Sequence, residues 1–378
     1  FSLDCTNVNT CNVVFLENQV KMENFMKRNY RLFLCILLSI PVLLLSGCAL
    51  PSRLNLGKTS GSGESISKSG FYFNTVITVT LYGTKDESLL DDCFSLADTY
   101  ENYFSNTIAD SDVSKINAAG GAPVTVHEET AELIKKGLYY GDLSNGKFDI
   151  TIGKLSDLWD VSTKALLEKT DASMIPSDDE IKKALTTVDY QNVVVDGNTV
   201  TLKDPSAKID LGGIAKGYIA DRMKDYLNQK GAACGYINLG GNVLCLGAKP
   251  DGSSYNIGIQ RPFDDEGAAM LAVSVTDQTV VSSGVYERYF EVDGKRYHHI
   301  LDTATGYPYD NGLLGVSIIT DESVDGDGLS TTCFALGLAD GMALVESLDN
   351  TEAVFITEDY ELHFSSGMGT KIPYQVME

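Results

Sequence analysis

Three stretches of this chain carry residue types that could work on a phosphate. The first is Asp210-Leu211-Gly212-Gly213-Ile214-Ala215-Lys216-Gly217-Tyr218-Ile219-Ala220-Asp221, which follows a strand-like run and enters a helical pattern at Tyr218, Ile219, Met223, Tyr226 and Leu227. A strand, two glycines and a helix start leave bare backbone N–H groups at a positive helix end, where phosphate is favoured, and Lys216 adds a cation. On spacing alone the same pattern also describes a tight turn with a surface lysine. The second is Tyr297-His298-His299-Ile300-Leu301-Asp302-Thr303-Ala304-Thr305-Gly306-Tyr307-Pro308, which holds two of the four histidines at a strand end. A histidine there is either a satisfied polar residue or a base with an ordinary pKa of about 6.5. The third is Asp325-Gly326-Asp327-Gly328-Leu329-Ser330-Thr331-Thr332. If helical, it puts Asp327 and Thr331 one turn apart on one face, a carboxylate and a hydroxyl suited to a hard cation such as Mg²⁺. A helix cap or a plain Asp-Gly loop is the alternative.

The elements that must hold these stretches follow from periodicity. Phe71 to Tyr82 alternates β-branched and polar residues and predicts a strand stopped by Gly83. Helices are predicted over Asp86 to Phe104, from Ser111 to Asn117, over Glu128 to Leu143, from a cap at Ser177 to about Leu185, and over Ser323 to Leu338. Hairpins are expected about Asp196-Gly197-Asn198 and Asp293-Gly294, and Gly235 to Leu244 reads as a strand entering a double-glycine turn. Tyr255 to Gln260, Leu271 to Val281, Leu314 to Thr320, Ala353 to Thr357 and Tyr360 to Phe364 read as strands, with Ser282 to Tyr289 a polar turn. The order lacks a βαβ rhythm, so the expected fold class is α+β, with mixed layered sheets and packed helices.

Composition narrows the function. With 29 basic and 52 acidic residues the formal charge is −23. So acidic a surface argues against nucleic acid as partner, and bound polyphosphate must rely on backbone dipoles, local cations and a metal. Met26 to Gly47 has a basic start at Lys27, Arg28 and Arg31 and a short apolar run. It closes on Leu45-Ser46-Gly47-Cys48, which resembles a bacterial lipobox, with Cys48 as the lipidated N-terminus; a transmembrane anchor is the alternative. The expected organisation is read-through over residues 1–25, a lipoprotein signal peptide over 26–47, a lipidated, flexible tether over 48–70 and a catalytic body over 71–378. The expected location is the extracytoplasmic face of a bacterial membrane. Cys93, Cys234, Cys245 and Cys333 lack metal-site spacing and read as buried free thiols.

Taken in order, Ser111 to Asn117, Gly146 to Trp159, Asp210 to Asp221, Asn238 to Asn242, Ser282 to Tyr286, His299 to Pro308 and Asp327 to Thr331 resemble the FAD:protein FMN transferases, the ApbE-like flavin transferases. The resemblance runs from about Phe71 to the C-terminus. It implies Mg²⁺-dependent cleavage of FAD, transfer of FMN through a phosphoester bond to a threonine or serine of a partner protein, and release of AMP. It also implies that Asp327, Thr331, Ser330 and the Gly213 carbonyl hold the metal. Asp210, Lys216, Phe148, Asp149, Ile150 and Leu301 would contact FAD, and His299 would be the general base. Phe73 stands where the family usually has methionine. Thr107 stands where it often has a tyrosine against the adenine, and a missing aromatic platform is worth about 1–3 kcal/mol of stacking. The family's acceptor pattern, Asp-x-x-Ser/Thr-Gly-Ala-Thr/Ser, is not found in this chain, which points to a separate acceptor protein, such as a subunit of a membrane electron-transfer complex or an extracellular flavoprotein. An FAD pyrophosphatase and a flavin-binding lipoprotein are the competing readings.

Overall fold

The computed structural model describes residues 64–264 and 268–377. Its frame is one eight-stranded sheet, in spatial order Ser65–Tyr72, Thr75–Tyr82, Gly235–Leu239, Asn242–Leu246, Thr279–Gly284, Leu313–Thr320, Glu352–Thr357 and Leu362–Phe364. Every neighbouring pair is antiparallel. All eight residues of Leu313–Thr320 are buried, so this strand is covered on both faces. The Ser323–Leu336 helix packs on it and on Thr279–Gly284. The Ala215–Gln229 helix lies beside that helix and against Ser88–Phe104. Three small antiparallel sheets complete the α+β fold.

Local chemistry explains several boundaries. Ser111 caps Asp112–Ala118 by accepting from Ser114 N, and Ser177 and Glu180 form a reciprocal capping box at Asp178–Leu185. A second apolar cluster of Leu155, Trp159, Ile181, Phe290, Tyr297 and Leu301 holds the Tyr289–Val292 and Lys295–His298 hairpin. Trp159 stacks on Tyr297 at 5.6 Å and donates from Nε1 to the Gly306 carbonyl at 2.7 Å. This fixes the chain on both sides of His299.

Three expectations change. Phe71 to Tyr82 is not one strand but the end of a hairpin. Phe73 and Asn74 have φ of 51° and 56°, the left-handed pair of a tight hairpin turn. Strand pairing therefore starts at Ser65, inside the stretch read as a tether. Leu271 to Val281 is two strands, Ala269–Val275 and Thr279–Gly284, separated at Asp277, whose φ is 55°. The polar run from Ser282 thus begins inside a strand rather than a turn. The expected read-through, signal peptide and Cys48 lie outside the described residues. Of the four body cysteines Cys93, Cys245 and Cys333 are buried and Cys234 is partly exposed; all are free thiols.

Candidate active site

The site is built where two helix starts meet. The segment leading to the first is positioned by Asn117, whose side chain donates to Ile209 O at 2.9 Å and accepts from Ile209 N at 2.7 Å. Asp210 N then donates to Ile150 O at 2.8 Å, and the Gly213 backbone lies against the Phe148 ring. These contacts join the Phe148-Asp149-Ile150 segment to the glycine turn. Asp149 itself is fully engaged: it accepts from Thr151 N at 2.7 Å, Thr151 Oγ1 at 2.6 Å and Tyr190 N at 2.9 Å. Burial raises its carboxyl above the usual range. It ties the loop, and so sets Phe148 and Ile150.

The Ala215–Gln229 helix, like any helix, leaves its first N–H groups open. Gly217 N, one of these first-turn donors, donates to Asp327 Oδ2 at 2.6 Å. The Gly213 carbonyl receives no hydrogen bond among the described residues. That close approach needs glycine, since a Cβ at 217 would sit 2.2 Å from Ser323 O. Lys216 forms no hydrogen bond or ion pair with a described residue. It is near enough to influence the charge of Asp327, Glu287 and His299.

The second helix presents Asp327, Ser330 and Thr331 on one face, as the spacing required. Asp327 is buried, and its Oδ1 accepts from Asn242 Nδ2 at 3.0 Å. Burial pushes its carboxyl above the usual range, and Lys216, Gly217 N and Asn242 only partly offset this. Ser283 Oγ bridges Ser330 Oγ at 2.8 Å and Thr331 Oγ1 at 3.2 Å. Gly328 makes room for the Tyr140 ring, which a Cβ would approach to 2.1 Å. Among the described residues no three His, Cys, Asp or Glu side chains cluster as a metal site. The donors here are oxygens only: one carboxylate, two hydroxyls and the orphaned Gly213 carbonyl. Such a set fits Mg²⁺, which takes few protein ligands and completes its shell with water and substrate phosphate.

His299 follows the hairpin strand. Its Nδ1 lies 3.3 Å from Arg288 O, and a carbonyl only accepts, so Nδ1 carries the proton and Nε2 keeps a free lone pair. Desolvation, then the Arg288 guanidinium and His298, push its pKa down to about 3; the ring is neutral at pH 7. Asp302 does not orient it. That carboxylate accepts from Ala304 N at 2.9 Å and Thr305 Oγ1 at 2.9 Å and closes its own turn. Leu301 is buried in the Trp159 cluster. Asp210 is half-buried; desolvation raises its carboxyl while Gly212 N, 2.8 Å away, opposes this.

Phe73 is tied to the Ser88–Phe104 helix, and Thr107 has only local hydrogen bonds. Phe73 N donates to Glu101 Oε1 at 2.7 Å, and the exposed Thr107 bonds to Ser105 Oγ. Asn242, Ser283, Glu287 and Arg288, to which sequence reasoning assigned no role, stand around the site. Glu287 is exposed, yet protein surrounds it closely enough that desolvation raises its carboxyl, against the pull of Lys216 and Arg288. Glu287 and Arg288 line a cleft of about 370 Å³ together with Leu167, Glu168 and Thr170.

An antiparallel α+β body that sets a free lysine and an open glycine turn against an oxygen-only corner defines a class of protein that handles phosphate esters. More narrowly, the chain belongs to the ApbE family, whose match covers residues 73–355. An FAD:protein FMN transferase of Klebsiella pneumoniae (strain 342) is 38% identical over 79% of this chain and 92% of its own. The enzyme of that name from Treponema pallidum (strain Nichols) is 32% identical, covering 81% and 88%. Among solved structures, the ApbE protein of Thermotoga maritima has a TM-score of 0.71 at 32% identity, over 80% of this chain and 97% of its own. The flavin transferase ApbE of Vibrio cholerae has a TM-score of 0.71 at 26% identity, with the same coverage.

Proposed function

We propose that this chain, an FAD:protein FMN transferase, works as a Mg²⁺-dependent enzyme that esterifies a threonine or serine of its acceptor. FAD is the substrate and a separate flavinylated protein the acceptor. The observation that supports the metal reading is the buried Asp327 carboxylate, fixed by Gly217 N and Asn242 Nδ2 on the same helix face as Ser330 and Thr331. Asp327, Ser330, Thr331 and Gly213 would hold Mg²⁺, which supplies charge neutralisation at the pyrophosphate. Lys216 and the glycine turn carry the remaining phosphate charge, with Asp210, Phe148 and Ile150 alongside and Leu301 behind the flavin. Asp149 acts by fixing that segment.

The acceptor hydroxyl oxygen attacks the phosphorus that stays with FMN, its proton passes to His299 Nε2, and the bond to the AMP oxygen breaks with its electron pair. Positioning and electrostatics dominate such transfers. Phosphate charge beside His299 raises its proton affinity from the depressed value it has alone. The acceptor pattern Asp-x-x-Ser/Thr-Gly-Ala-Thr/Ser, the lipid anchor at Cys48 and an extracytoplasmic membrane location rest on sequence alone. Among the described residues no helix is long and apolar enough to cross a membrane.

The test uses residues 53–378 with FAD, Mg²⁺ and an acceptor domain bearing that pattern. Intact mass and nucleotide chromatography are read together. One FMN gained per acceptor with matching AMP is expected. AMP and free FMN with the acceptor unmodified would instead indicate a pyrophosphatase, and no AMP a flavin-binding protein.

A further inference from the structure

Asp327 and Lys216 belong to different helices, and a closed ring of buried polar contacts sets their relation. Asp221, one turn after Gly217, accepts from Ser323 N at 2.7 Å and Val324 N at 2.8 Å. It thereby caps the second helix, whose own N-cap residue, Glu322, makes no side-chain cap. Ser323 Oγ donates to Asn242 Oδ1 at 2.8 Å and lies 3.1 Å from Thr279 Oγ1. Asn242 Nδ2 donates to Asp327 Oδ1 at 3.0 Å, and Asp327 Oδ2 returns to Gly217 N at 2.6 Å. Asp221, Ser323, Asn242, Thr279 and Asp327 are each at most 4% exposed.

We propose that Asn242 and Asp221 are positioning residues for the transfer: they hold the Asp327 carboxylate in one rotation and one register against Lys216. The proposal rests on the reading of Asp327 as a metal ligand. Each Asp327 oxygen accepts one fixed hydrogen bond on the protein side and keeps a lone pair for a cation, so the carboxylate cannot swing between orientations. Asn242 does this from a strand of the sheet, and Asp221 from the neighbouring helix. A shift in either contact would move Asp327 relative to Lys216 without touching FAD. Groups that orient a metal ligand in this way set metal affinity more than substrate affinity.

Asn242→Leu keeps the branched shape of the side chain and removes its hydrogen bonds to Asp327, Ser323 and Thr279. Ser323→Ala removes only the hydroxyl that anchors Asn242, leaving the backbone cap intact. Both are assayed for acceptor flavinylation against Mg²⁺ and against FAD, and Mn²⁺ binding to the FAD-free proteins is followed by electron paramagnetic resonance. Asn242→Leu is expected to raise half-saturating Mg²⁺ and weaken Mn²⁺ binding by about 10–100-fold, with the KM for FAD changed by less than about threefold. Ser323→Ala should shift the same two quantities in the same direction by a smaller factor, and it decides the matter if Asn242→Leu does not fold. Unchanged metal dependence in a folded variant, with only a lower melting temperature, would overturn the proposal and leave the ring a stability clasp. If Asp327→Ala itself retains normal metal dependence, the failure lies in the ligand reading instead.

Discussion

Two carboxylates in this protein are equally hidden and electrically opposite. Glu352 is 5% exposed and Asp327 4%. Burial opposes ionisation of Glu352, yet Ser365 Oγ, Lys371 Nζ and Gly367 N, at 2.6, 2.9 and 2.9 Å, outweigh it and hold the carboxyl below the usual range. Asp327 has one backbone N–H and one amide, with Lys216 nearby, and burial wins. Glu352 is a finished structural strap across Ser365 and Gly367. Asp327, when ionised, is a buried charge that its protein neighbours only partly compensate. A desolvated charge left in that condition costs stability unless something else completes it, and a divalent cation with its phosphates would.

The contrast can be broken at either end. Asp327→Ala should abolish metal-dependent turnover while leaving far-ultraviolet circular dichroism unchanged; full residual activity would sink the assignment. Next in size, His299→Ala should lower kcat by about 10²–10⁴-fold, the usual worth of a positioned base, with FAD affinity retained. Because the folded His299 pKa is depressed to about 3, the neutral base persists below pH 6.5. The pH profile of kcat/KM, which reports free enzyme, should therefore show no His299 limb between pH 6 and 7. Glu352→Gln should do the reverse of Asp327→Ala: a loss of about 2 kcal/mol in denaturant unfolding, from weakened charged hydrogen bonds, with kcat untouched. The smallest effect sharpens the picture at the rim. Thr107→Tyr should restore an aromatic platform and lower the KM for FAD by about tenfold, consistent with about 1–3 kcal/mol of stacking per base.

Much of the frame could be read from the chain because its signals are local. Ser111 and Ser177 announce their helices by bonding within one turn, and Asp327 and Thr331 share a face by helical period alone. The first hairpin was hidden because its turn, Phe73-Asn74, contains no glycine and lies within an unbroken β-branched alternation. The roles of Asn242 and Ser283 were illegible for a different reason. Their partners lie 85 and 47 residues away in sequence, and no spacing rule spans such distances. Gly213 is the intermediate case. The resemblance singled it out, but its open carbonyl becomes visible only once the chain is folded. The same packing answers what Asp302 does: its bonds close a turn, and Arg288 O holds His299.

The most direct test of the Asp327 and Glu352 contrast is the Mg²⁺ dependence of AMP release, measured side by side for wild type, Asp327→Asn and Glu352→Gln with saturating FAD and acceptor. The account predicts that Glu352→Gln follows the wild-type Mg²⁺ curve while Asp327→Asn loses metal-dependent release. Coincident curves for all three proteins would contradict it, and would mean that the phosphates are neutralised somewhere other than at Asp327.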